Sequence, residues 1–218
     1  MRRTSAINDL LRVMARLRSP TGCPWDREQD HMTLRRHAIE EVYELIDAIE
    51  ARDDHEMAEE LGDLLMQVVF HCQLARERGA FDFEKVCRLL VEKLVRRHPH
   101  VFGQTRVKDV DEVWANWEKI KHAEKLGTRH ARPSTLDGIP RHLPALLRAE
   151  KLVKKARKAK LLADRDTRKK RPAKSKLTAK LFELAVEAQA HGWSAEELLC
   201  DEIKRREARW RRRESSRR

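Results

Sequence analysis

Long apolar runs are missing from this 218-residue chain: no stretch of about 18 apolar residues occurs, which excludes a membrane-spanning helix. Turn formers and aromatic residues are scarce as well, with 7 Gly, 7 Pro and a single Tyr. A many-stranded sandwich or barrel needs turns far more often than that. The four cysteines, Cys23, Cys72, Cys87 and Cys200, form no C-x-x-C pair, so neither a zinc ribbon nor a dense disulfide framework fits. Reduced thiols, and with them a cytoplasmic setting, are the simplest expectation. Charge is what abounds: 39% of residues are charged beside 40% hydrophobic, an apolar share too high for a wholly disordered chain. The expected fold class is all-α, built from long helices with polar additions.

The net charge of +12 is unevenly spread. Residues 151–176 carry 13 Lys/Arg against Asp164 and Asp166, and residues 204–218 carry 9 against Glu207 and Glu214. Between them, Leu177 to Ile203 sets Lys180 against six acids, so residues 1–150 are left close to neutral. Two basic blocks can engage nucleic acid through phosphate contacts and counterion release. A solvated linker and tail is the commoner meaning of such blocks. The N-terminal stretch is Arg-rich and amphipathic, like a transit peptide. Its apolar residues Ile7, Leu10, Leu11, Met14 and Leu17 equally describe a packed first helix, and that reading is preferred.

Pro20, Gly22 and Pro24 end the first helix. A second is expected over about Thr33–Arg52, with Ile39, Val42, Tyr43, Ile46 and Ile49 on one side. A third, about His55–Arg76, is apolar nearly all round, which predicts burial on most sides. Asp82 is placed to cap a fourth helix that Pro99 closes, and a fifth carries Trp114 and Trp117.

Glu41 and Glu44 share one face of the second helix, flanked by Glu40 and Asp47. On its own this is an ordinary solvated acidic face. The third helix aligns Glu56, Glu60, Asp63, Gln67 and His71 at intervals of 4, 3, 4 and 4, a narrow polar stripe on an apolar helix. A carboxylate turned toward a protein interior is costly unless it is paired with a cation. Two acid pairs at i, i+3 on neighbouring helices therefore suggest a divalent ion, Mg²⁺ or Mn²⁺ given oxygen-only ligands. Salt bridges to basic residues are the competing account. Lys93 and Arg97, one turn apart, are suited to phosphate oxygens. Trp25 and Trp117, the latter with Lys121 one turn on, offer aromatic faces for a base, or are simply core residues.

The segments GCPWDREQ (22–29), EEVYE (40–44), EELGD (59–63), KLVRRHPHVF (93–102) and WEKIK (117–121) resemble the MazG family of all-α nucleoside triphosphate pyrophosphohydrolases, in family order over about residues 5–125. The resemblance implies a helical bundle completed by dimerisation, hence a homodimer. It implies Mg²⁺ held by Glu41, Glu44, Glu60 and Asp63, with Glu40 a further candidate. Substrate contacts are implied from Lys93, Arg97, Trp117 and Lys121, and from Trp25 in the CPWD turn. The implied reaction is hydrolysis of a nucleoside triphosphate to the monophosphate and pyrophosphate. Longer members carry two copies of the domain, and LTAKLFELAVEAQAHGWSAEELL (177–199) resembles part of a second copy that lacks its acids. The organisation expected is therefore a catalytic domain over 1–125, a basic linker over 126–176, and a degenerate partial repeat with a basic tail over 177–218. A nucleic-acid-binding or regulatory protein acting through residues 151–176 and 204–218 is the alternative from another class. A pyrophosphatase of narrower substrate range is the alternative within the same fold.

Overall fold

The computed structural model describes residues 5–128, 131, 133–162 and 173–216, and of His122 the backbone alone. All regular structure among the described residues is helical. None of these helices is long and apolar enough to cross a membrane. The chain divides into two compact units, Met1–Trp117 and Glu118–Arg218.

The first unit is built on α1 (Ala6–Leu17), α3 (His37–Ala51), α4 (Asp54–Glu77) and α5 (Phe83–Arg97), with short helices α2 (Pro24–Glu28) and α6 (Pro99–Phe102). Helix α7 (Val110–Ala123) carries the chain from one unit into the other. The CPWD segment, expected as a helix-ending turn, starts α2 because Pro24 occupies the first helical turn, where no amide hydrogen is needed. Asp82 caps α5 as expected, accepting a hydrogen bond from the Lys85 amide at 2.8 Å. The core gathers Met14, Leu34, Val69, Phe70 and Leu74, with Leu10, Leu11 and Phe83 against them. It sits on the C-terminal half of α4. There Arg18, at the end of α1, donates from Nε and Nη2 to the two carboxylate oxygens of Glu77, each at 2.7 Å. Its Nη1 also donates to the backbone carbonyls of Asp26 and Gln29. That fork holds the Glu77 carboxyl below the usual carboxylate range.

The expectation that this helix is buried on most sides fails for its N-terminal half. Leu61 and Leu65 are exposed there, and Met66 and Val68 just past the midpoint, as are Ile39, Val42, Tyr43, Ile46 and Ile49 on α3 and Leu89, Leu90 and Leu94 on α5. The reason is supply. Helix α1 and the 3₁₀ turn at Thr33–Arg35 cover only the half of α4 nearer Glu77.

The second unit contains α8 (Ala145–Lys158), α9 (Lys174–Ala190) and α10 (Ala195–Ser215). Its core joins Leu136, Ala145, Leu152, Ala156, Leu161, Ile203 and Trp210. Residues 134–162, expected as linker, thus supply much of this core, and the unit boundary falls inside α7 rather than at 125. Residues 163–172, which include part of the expected basic block over 151–176, and 217–218 lie outside the described residues.

Candidate metal centre

The α3/α4 hairpin positions the acids. Helix α3 ends with Arg52 in the left-handed region (φ 57°), and Asp53 then caps α4 by accepting from the amides of His55 and Glu56 at 3.0 and 3.1 Å. With so short a turn the helices return on one another, and residues equally far from it lie level. Glu41 and Asp63 are each about eleven residues from the turn, and Glu44 and Glu60 each about eight.

Within that register one oxygen from each of Glu41, Glu60 and Asp63 lies within 4.8 Å of the other two. The buried amide of Gln67 reaches across from α4 and its Nε2 donates to Glu41 Oε1 at 3.2 Å. A carboxylate can only accept, so the amide nitrogen is the atom that faces it. Partial burial pushes the Glu41 carboxyl up, and the nearby charges of Asp63 and Glu44 add to this, while the Gln67 hydrogen bond and His37 oppose it. Burial likewise raises Glu60, with Glu44, Asp63 and Glu41 contributing. Glu60 Oε2 is buried and has no hydrogen-bond partner among the described residues. Three close acidic oxygens, with Glu41 and Glu60 held toward protonation and Glu60 Oε2 lacking a donor, form a hard all-oxygen set that suits a divalent cation.

A model of the MazG nucleotide pyrophosphohydrolase domain matches residues 29–102, a span containing all these groups. A 26.1 kDa protein of Streptomyces cacaoi is 40% identical over 195 residues, 88% of this chain and 75% of that protein. The chain belongs to the MazG family. The nucleoside triphosphate pyrophosphohydrolase of Escherichia coli (strain K12) is 49% identical over 150 residues, 68% of this chain and 56% of that enzyme. The Thermotoga maritima nucleoside triphosphate pyrophosphohydrolase/pyrophosphatase MazG is 48% identical over 148 residues, 68% of this chain and 55% of that enzyme. This chain spans little more than half the length of these two relatives.

The other expected site residues of this MazG chain are placed as follows. Glu44 is exposed and outside the close triad, though its charge acts on Glu41 and Glu60. Glu40 is exposed and pairs with His37 Nδ1 at 3.2 Å. Trp25 is half exposed, its ring edge-on to His37 with centroids 6.0 Å apart, at the start of the helix that carries Glu41. The Arg97 guanidinium lies over the Trp117 ring, 5.0 Å from its centroid, and Trp117 meets Trp114 at 5.8 Å. Lys93 is half-buried one turn before Arg97 on α5. Lys121 belongs to the second unit, where its ammonium lies 3.4 Å from Glu118.

Two features went unassigned from sequence. Gln67 was visible only as a member of the polar stripe, and its interhelical role depends on register. One turn beyond it, His71 Nδ1 meets His31 Nδ1 at 2.8 Å, joining α4 to the segment before α3. A hydrogen bond between these nitrogens needs one ring to offer a proton and the other a lone pair. Burial lowers the His71 pKa, and the His31 charge lowers it further.

Proposed function

We propose that this MazG-family chain hydrolyses nucleoside triphosphates to nucleoside monophosphates and pyrophosphate, using Mg²⁺ with Mn²⁺ as a substitute. The observation that carries this reading is the Glu41–Glu60–Asp63 cluster with its donorless buried oxygen, inside the family-matched segment. Glu41, Glu60 and Asp63 hold the ion, and Glu44 completes the set from the neighbouring turn. Bound there, the ion supplies polarisation of the α-phosphoryl group and a more acidic water. Gln67 fixes the Glu41 oxygen so that the ligand geometry is set before substrate arrives. Arg97, ordered by the indole of Trp117, and Lys93 answer charge on the phosphates of the leaving pyrophosphate. The exposed ring of Trp25 offers a stacking face for the base. On this reading Trp117 serves Arg97 and does not itself stack on substrate. Lys121 is given no part.

The exposed apolar residues of α3, α4 and α5 support a homodimer that completes the bundle. The test uses the full chain with each ribo- and deoxynucleoside triphosphate, measuring pyrophosphate release with and without Mg²⁺. Release of pyrophosphate rather than phosphate, dependent on the ion and absent in Glu60→Gln, is expected. Wild-type release no greater than that of the Glu60→Gln control rules the reading out. Light scattering on the same preparation should give twice the 25.7 kDa chain mass.

A further inference from the structure

From Arg205 onward helix α10 separates its charges by sign, whereas upstream Asp201 and Glu202 share the side of Arg205. The acids past Arg205 face inward and are used there. Glu207 accepts from Arg148 Nη2 at 2.6 Å and from Arg211 at 2.6 Å, and Arg211 reaches Asp137 at 2.7 Å. Two guanidinium groups and two carboxylates thus neutralise one another. Glu214 accepts from the Thr135 amide and hydroxyl at 2.9 and 2.7 Å and from the Ser134 hydroxyl at 2.5 Å. The outward face keeps its cations. At 100° per residue Arg205, Arg209 and Arg212 fall within about 60° of one another, on the side away from the buried Ile203 and Trp210. All three are exposed. Arg205 shares Glu202 with Arg206, whereas Arg212 and its neighbour Arg213 have no acidic partner among the described residues.

We propose that this arginine face of α10 is a docking surface for double-stranded DNA. The helix is no loose tail, because Trp210 and Ile203 anchor it to α8 in the core of the second unit. Favourable interaction with the helix dipole accounts for cations in the last turn only, and Arg205 and Arg209 lie further upstream. The nature of the face selects the partner. Between Arg205 and Arg212 Ala208 is the single apolar side chain of this face, Leu198 standing alone about two turns upstream, so that stretch has nothing to insert into a lipid surface, which amphipathic membrane helices require. It equally lacks the aromatic or aliphatic centre of a protein interface. Guanidinium forks repeated at one-turn spacing match a ladder of phosphates. The B-form major groove admits a helix of this width, whereas the deep, narrow groove of duplex RNA does not.

The test is fluorescence anisotropy with the full chain and a labelled 20-base-pair DNA duplex across salt. Neutralising about four phosphates predicts a slope near −3.6 in log affinity against log salt, or about a 100-fold loss between 50 and 200 mM. Arg205→Gln/Arg209→Gln/Arg212→Gln should reduce that slope to about −1, with unchanged helical circular dichroism. Arg205→Glu/Arg209→Glu/Arg212→Glu should abolish binding at 50 mM salt. No DNA binding by the parent at 50 mM overturns the proposal. So does a glutamine variant with parental affinity and slope, or tighter binding to duplex RNA or to phosphatidylserine vesicles than to the DNA.

Discussion

Replacing Gln67 by Leu removes one hydrogen bond to Glu41 while keeping the side-chain volume close to constant. Hydrogen bonds to charged groups contribute about 1.5–3 kcal/mol. The 3.2 Å separation lies at the long end of the N–H···O range, so the lower part of that interval applies. A contribution of about 1.4 kcal/mol is a tenfold change in an equilibrium constant, and Mg²⁺ affinity should fall about tenfold. The fold should suffer much less. Gln67 Oε1 is itself buried without a partner among the described residues, and Leu removes that unsatisfied acceptor. Glu41, half-buried, can recover a hydrogen bond from water. Isothermal titration of Mg²⁺ into the full chain, beside a chemical unfolding curve, separates the two effects. Because the lost donor opposes the upward pull on the Glu41 carboxyl, the pH at which metal uptake half-develops should also move up in the variant. A Gln67→Leu protein that binds Mg²⁺ within twofold of the parent, with the same pH limb, refutes the reasoning.

The raised Glu41 and Glu60 carboxyls make stability depend on pH in the opposite sense to a salt-bridged acid. Their contribution is fully present below the ordinary carboxylate range and is lost as pH rises through the elevated folded-state values. Without metal, unfolding of the first unit should therefore occur at lower temperature at pH 8 than in mild acid. Added Mg²⁺ should raise it at pH 8 and do little at acid pH, as thermal scans would show. In the second unit, Glu207→Gln leaves the buried Arg148 without its anionic partner and should cost about 3 kcal/mol in denaturant unfolding, the low end for breaking a buried pair. Arg148→Met, which removes the buried charge and its unsatisfied Nε, should cost clearly less. Equal losses in the two variants argue against this account of the pair.

Much of the acidic cluster could be anticipated, because its ingredients are local. The i, i+3 spacing places Glu41 with Glu44 and Glu60 with Asp63 on common faces wherever the helices sit. The position of the α3/α4 turn at Arg52–Asp53 even sets the level at which the two faces meet. What spacing cannot supply is rotation and approach. Which three oxygens come within 4.8 Å, and that Gln67 spans the gap to Glu41, follow from how the two helices pack. The His31–His71 contact was equally out of reach, since it joins residues 40 apart through the closing of a loop.

Amino-acid order alone determined the helical class, the cap at Asp82 and the acid pairs. These are properties of residues within a turn or two of each other, where backbone geometry leaves little freedom. The tertiary structure decided which apolar residues are buried in the core of each unit and which are exposed among the described residues. It also decided that the basic C-terminal block is an anchored helix with its acids turned inward. Both depend on contacts between segments far apart in the chain, whose free energies no periodicity encodes.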